Sequence, residues 1–363
     1  MQIPDAPAAP PRQFMFYSRA DYFRALITRA TTLTRGDRFL LMTMEFQPDE
    51  PLVEALFAEL AAAARRGAAV SFALDAYPFM IVNDHMRRPG PLVYRRDLPR
   101  RLSPVFERCR RVVEELRAAG GQAVIINWPA RRFANPFSGR SHIKLAVCND
   151  ELFVGGCNLG VAAQVDLMTS WTDAALADQL YDFGRQVITH RSVRRALHDT
   201  DQRLRVDGNT DLLIDAGVRG QSIIFDETLA LIDTARQHIF ITCQYFPNNL
   251  TAKHLAAARK RGVQVQVIFN YPGTYPFPFN LLQHAVVWGE RRRWPAALFA
   301  GERARGAMFM HAKLLMTDQG TMLGSHNYVR AGVAFGTAEM TLLSRDPLFG
   351  EQAFAALKPQ LAA

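Results

Sequence analysis

HIKLAVCNDELFVGGCN (142–158) and HAKLLMTDQGTMLGSHN (311–327) are two copies of one pattern. Counted from each His, Lys stands at +2, Gly at +13 and Asn at +16 in both copies. Position +14 is Gly156 in the first and Ser325 in the second, and +7 is Asn149 and then Asp318. In a strand, residues i and i+2 share a face. His142 and Lys144 therefore project together, as do His311 and Lys313, while Ile143, Leu145 and Val147 face a core. Asn-Asp-Glu and Asp-Gln-Gly read as turns. A returning strand (LFVGG, TMLGS) then brings Asn158 or Asn327 beside the His–Lys pair.

Each copy thus gathers an imidazole, an ammonium and a carboxamide. An imidazole with a pKa near ~6.5 serves as nucleophile or as general acid and base. Lysine and the Asn NH₂ are donors suited to anionic oxygen. Two such sets facing each other suit a phosphodiester, one His attacking phosphorus and the other protonating the leaving alkoxide. Lysine stands where a metal site would need a second ligand, so the expected chemistry uses no metal and no cofactor. Cys157 has the wrong strand parity for a nucleophile, and both it and His326 read as packing residues.

The duplication extends upstream. RRGAAVSFALD (65–75) is echoed by KRGVQVQVIFN (260–270), and DRFLLMTMEFQP (37–48) by QHIFITCQYFP (237–247). Amphipathic stretches at 21–33 and 225–237 precede the latter pair. Each half therefore runs helix, strand, helix, strand, a variable insertion and then the motif hairpin. This predicts an α/β chain of two similar α/β/α lobes, each a mixed central sheet flanked by helices. The lobes are expected to be related by a pseudo-two-fold, with the site between them. A helical stretch over 173–199 closes the first half, and a polar link follows at 199–211. The expected divisions are a tail at 1–13, a first lobe at 14–203 and a second at 204–363.

The chain has 363 residues, 49% hydrophobic and 21% charged, which excludes a disordered chain and allows two domains. Its net charge of +9 favours an anionic partner, a membrane surface or nucleic acid. No apolar run has the length of a membrane span, and the first residues lack a secretory pattern. Cys109, Cys148, Cys157 and Cys243 show no paired spacing, so neither a zinc site nor a disulfide framework is expected. The expected location is cytoplasmic, peripheral on the inner membrane face. Basic and aromatic insertions at 85–102, 271–280 and 290–299 read either as elements that hold headgroups and enter the acyl region or as solvated basic loops and a packed aromatic turn.

With these residues the chain resembles the phospholipase D superfamily, whose hallmark is a duplicated His-x-Lys-x4-Asp followed by Gly-Ser/Gly-x-Asn. The second copy matches throughout. The first departs at Asn149, where the family has Asp, although Asp150 is adjacent. The duplicated segments and Trp171-Thr172-Asp173 resemble the bacterial cardiolipin-synthase-like branch over most of residues 14–358. The resemblance implies a covalent phosphohistidine, with His142 as nucleophile and His311 as general acid. It also implies a carboxylate downstream of each motif: Glu339 for His311, and Asp173, at a longer spacing, for His142. Ser325 and Gly156 are candidate substrate contacts. The substrate implied is an anionic phospholipid. A nuclease acting on DNA or RNA is the second reading, and a degenerate phosphate-binding protein a third, against which both intact His–Lys pairs stand.

Overall fold

The upstream repeat is the frame that carries the motif hairpins. In the first half, α1 (Arg19–Thr32) leads to β2 (Arg38–Thr43), then α2 (Pro51–Arg65) and β3 (Ala69–Asp75). In the second half, α6 (Ile223–Thr234), β11 (His238–Cys243), α7 (Asn249–Lys260) and β12 (Gln264–Phe269) follow the same course. Helix α1 starts on Ser18, whose side chain accepts from the Asp21 N–H, and α2 starts on Glu50 with Pro51 at its first turn. Both α2 and α7 end two residues before a glycine with positive φ, Gly67 at 95° and Gly262 at 91°. A side chain there is strained, which is why the glycine recurs.

The computed structural model describes residues 12–77, 104–128, 138–160, 164–270, 285, 288–289 and 309–362. The insertions at 85–102, 271–280 and 290–299 lie outside the described residues. Among those described, the remaining helices are α3 (Pro104–Ala118), α4 (Ala174–His190), α5 (Val193–Ala196), α8 (Arg330–Phe335) and α9 (Pro347–Ala362). The first sheet adds β1 (Met15–Tyr17), β4 (Gln122–Ile126), β5 (Leu145–Cys148), β6 (Glu151–Gly155) and β8 (Met168–Thr172) to β2 and β3. The second adds β9 (Gln202–Arg205), β10 (Thr210–Ile214), β14 (Leu314–Thr317), β15 (Gly320–Gly324) and β16 (Met340–Ser344) to β11 and β12.

Both sheets are mixed and seven-stranded, ordered β4-β3-β2-β5-β6-β8-β1 and β12-β11-β14-β15-β16-β10-β9. Six positions correspond one to one. In each, the first two shared strands run parallel and the others antiparallel. The sheets differ only at their edges, where β4 is extra in the first and β9 in the second. The segment expected as a polar link instead forms β9 and β10, turning at Asp207-Gly208-Asn209 and pairing Leu204 with Leu212. The chain thus enters the second sheet at Gln202, and residue 203 lies inside β9.

Strand parity divides the core. In β5, Ala146 and Cys148 face α1, α2 and α3, while Leu145 and Val147 face the second sheet. The central layer joins Leu145, Val147, Leu152 and Val154 to Leu212, Leu314, Leu323 and Leu342, with α4 and α9 filling its flanks. Each such side chain contributes about 1.5–3 kcal/mol by leaving water. The lobes therefore share one core. A short parallel pair, β7 (Gln164–Val165) with β13 (Phe309–Met310), ties them a second time, at the site.

Candidate active site

His142 and Lys144 lie just before β5, and His311 and Lys313 just before β14. These ends adjoin the C-terminal ends of the parallel strands, where α/β folds gather their sites. All four side chains are buried. The opposite lobe holds the backbone on which each pair sits. The His142 N–H donates to Ala338 O at 2.8 Å, and the Ala338 N–H donates to Arg140 O at 2.8 Å. The His311 and Ala312 N–H groups both donate to Val165 O, at 2.9 and 2.8 Å.

The residue after each of these anchors is a carboxylate. Glu339 follows Ala338, and its Oε2 lies 3.0 Å from His142 Nδ1. Asp166 follows Val165, and its Oδ2 lies 2.6 Å from His311 Nδ1. Each imidazole is therefore oriented by the other lobe. The expected pairings of Glu339 with His311 and of Asp173 with His142 are both corrected. Glu339 and Asp166 lie just before β16 and β8, at the site end. Asp173 lies past the far end of β8, where its Oδ1 caps α4 through the Leu176 N–H at 3.1 Å and its Oδ2 pairs with Arg12 at 2.8 Å.

An ionised carboxylate only accepts, so the hydrogen sits on Nδ1 of each imidazole and the Nε2 lone pair is left for chemistry. Burial pushes both imidazoles below their ordinary range, and the lysine ammoniums add to this against the pull of the carboxylates. Burial works to raise Glu339 and Asp166, but the facing imidazole and ammonium groups outweigh it and hold both low, Glu339 at about 2. Each lysine folds back on its own motif. Lys144 Nζ donates to His142 O at 2.7 Å, and Lys313 Nζ donates to His311 O.

Ser325 and Gly156, expected as substrate contacts, lie against the two carboxylates. The Ser325 hydroxyl donates to Glu339 and accepts from the Met340 N–H at 3.0 Å. At the equivalent Gly156, a Cβ would stand 2.2 Å from Asp166 Oδ1. The shorter Asp166 needs the room that the longer Glu339 leaves for a hydroxyl. Asn158 crosses the seam, its Nδ2 lying 3.4 Å from His311 Nε2. Asn327 Oδ1 accepts from the Gln244 N–H at 3.3 Å. Asn149 and Asp318, at the +7 position of each motif, brace strand starts. Asn149 accepts from the Arg38 N–H at 3.0 Å, and Asp318 from the Arg236 and Gln237 N–H groups.

Two further pairs escaped the sequence reading. Asp75 Oδ2 accepts from the Ser141 N–H at 2.7 Å, and Asn270 Oδ1 from the Met310 N–H at 2.7 Å. They fix the residue before each motif His from the same register of the repeat, the last positions of FALD and VIFN. Glu45, two residues past β2, stands where the second half has Tyr245, and it interacts electrostatically with both lysines. A polar residue at matched places after buried strands was the available signal.

Residues 228–356 match the family model described as "Cardiolipin synthase, PLD-like domain". The chain superimposes on phosphatidylserine synthase from Haemophilus influenzae Rd KW20 with a TM-score of 0.68 and 16% identity, over 98% of this chain and 87% of that one. Residues 228–356 thus carry a phospholipase-D-like domain, and the whole chain has the fold of that synthase. Polyphosphate kinase from Porphyromonas gingivalis shares the fold at a TM-score of 0.57 and 13% identity, over 99% of this chain and 49% of that one. No curated protein matches the sequence.

The placement of Asp173 away from both imidazoles is directly testable. Asp173→Ala removes a helix N-cap, which costs about 1 kcal/mol, and an ion pair with a partly exposed arginine, worth less than that. The expected result is a lower denaturation midpoint with kcat within about twofold of the wild type. A loss of kcat of two orders of magnitude or more would return Asp173 to the site.

Proposed function

We propose that this protein hydrolyses or transfers phosphatidyl groups through a covalent phosphohistidine. The observation that supports this reading is the pair of buried imidazoles, each held at Nδ1 by a carboxylate of the other lobe and backed by its own lysine. His142 Nε2 attacks phosphorus as the bond to the leaving alkoxide breaks, and His311 gives that oxygen a proton. His311 is neutral in the empty site. The phosphodiester anion beside it raises its affinity for the proton it must donate. In the second step His311 takes a proton from water or an alcohol, whose oxygen attacks phosphorus and breaks the phosphorus–nitrogen bond. Lys144, Lys313, Asn158 and Asn327 offer donors to the non-bridging oxygens. The assignment of attack to His142 rests on the family resemblance.

A lipid substrate is supported by the family model's description and by the phosphatidylserine synthase whose fold the chain shares. No helix among the described residues is long and apolar enough to cross a membrane, so access from the bilayer surface, aided by the net charge of +9, suits this reading. Vesicles containing labelled anionic phospholipid, with and without added glycerol, provide the test. Release of the headgroup, formation of a glycerol adduct, and weakening of both as salt rises are expected. Cleavage of single-stranded DNA or RNA with no lipid turnover would replace the lipid reading with the nuclease.

A further inference from the structure

The two crossings of the seam are not built alike. Val165 and Ala338 hold the backbones of His311 and His142 in the same way. At the first crossing, however, β13 pairs with β7, while at the second Ser141 and Ala338 form a single bridge. Beside that single bridge lies a cavity of about 370 Å³, a size suited to a small ligand. Its walls come from both lobes, with Ser138, Arg140, Ser192 and Arg194 from the first and Arg219 and Phe335 from the second. Neither imidazole, neither motif lysine and neither orienting carboxylate lines it. It is a second site, behind the wall that carries His142.

Its charge is one-sided. Three arginines line it and no carboxylate side chain does. Arg140, two residues before His142, stands where the second motif has Phe309. It is buried at the floor, where Asp75 balances it at 3.1 Å. At the rim Arg194 pairs with Asp199, and both are more than half exposed, so water weakens the pair. Arg219 is exposed at the rim and donates to the Ser138 hydroxyl, which donates to Phe335 O across the seam at 3.2 Å. No carboxylate pairs with Arg219 among the described residues.

A guanidinium has five N–H donors in a planar fork that matches phosphate oxygens. Arg194 commits its Nε to Asp199, and Arg219 commits one Nη2 donor to Ser138. The remaining donors of both are open to a ligand. The volume exceeds what a bare phosphate fills, and Val193 and Phe335 offer apolar wall to an organic portion. We propose that this cavity binds a small phosphate ester, free or as a lipid headgroup, gripped at the rim by Arg194 and Arg219. The occupant touches both lobes beside Ala338, whose carbonyl holds the His142 N–H.

Glycerol 3-phosphate, titrated calorimetrically into the full chain, probes for a free ester. Neutral vesicles with and without phosphatidate probe for a headgroup. Arg194→Gln and Arg219→Gln change exposed side chains outside the candidate active site, and each is expected to weaken binding about tenfold. Binding should also raise the Tm of the wild type more than that of either variant. Arg24→Gln removes an equally exposed arginine of α1 and should alter neither reading. Weaker binding of glycerol 3-phosphate by the two rim variants identifies a free ester as occupant. Weaker binding of phosphatidate vesicles alone identifies a headgroup, and either result upholds the site. Unchanged binding in the double variant, an equal loss in Arg24→Gln, or a wild type that binds neither probe would overturn it.

Discussion

His142→Gln and His311→Gln are each expected to lower kcat by about 10⁴-fold or more on a phospholipid, because each removes a group that acts as a unit with the rest of the site. Glutamine is the better probe than alanine. Alanine would leave Glu339 or Asp166 as an unpaired buried charge, which costs about 3–5 kcal/mol in its own right. The glutamine amide can still donate to the carboxylate, so loss of activity is separated from loss of fold. The two variants should differ with bis(p-nitrophenyl) phosphate. Its leaving group needs little protonation, so His311→Gln should recover much of its first step on that substrate. His142→Gln should not, since it lacks the attacking nitrogen. Steady-state rates on both substrates, with melting curves alongside, provide the check. Substantial phospholipid turnover by either folded variant would show that the two half-sites do not act as one.

Asp166→Asn is expected to cost nearly as much, about 10³–10⁴-fold in kcat, with little change in KM. The carboxylate holds the hydrogen on His311 Nδ1 across 2.6 Å. An asparagine can turn its NH₂ toward Nδ1, which moves the hydrogen to Nε2 and removes the lone pair the reaction uses. Glu339→Gln should act in the same way on His142, softened where the Ser325 hydroxyl keeps the amide oxygen turned toward itself. Imidazole nitrogen chemical shifts read the tautomer directly. A variant with unchanged tautomer and unchanged kcat would place the work of these carboxylates elsewhere.

The hairpins, their parity and both His–Lys pairs were legible in the sequence because they depend on local spacing. Strand alternation puts Leu145 and Val147 in one core and Ala146 in the other, and the turn positions accept Asn149 and Asp318 for the same bracing role. What stayed hidden depends on how the lobes meet. Glu339 is 28 residues after His311, yet it serves His142, because the bridge from Ser141 to Ala338 joins different halves of the chain. Asp166 was passed over for Asp173, although it precedes β8 as Glu339 precedes β16. Register within the third strand of the meander, and not distance from the motif, was the useful measure. Glu45, Asp75 and Asn270 lie in the repeated frame itself, which was read for its apolar periodicity and not for its polar ends.

The central claim is a double displacement through a histidine of a site shared by both lobes. Direct attack by water would need only one base and would invert phosphorus. Two displacements, the first by imidazole and the second by water or alcohol, restore the original configuration. The most direct measurement is therefore the stereochemical course with a phosphodiester chiral at phosphorus, carried to product in the presence of an alcohol acceptor. The account predicts net retention. Inversion would contradict it.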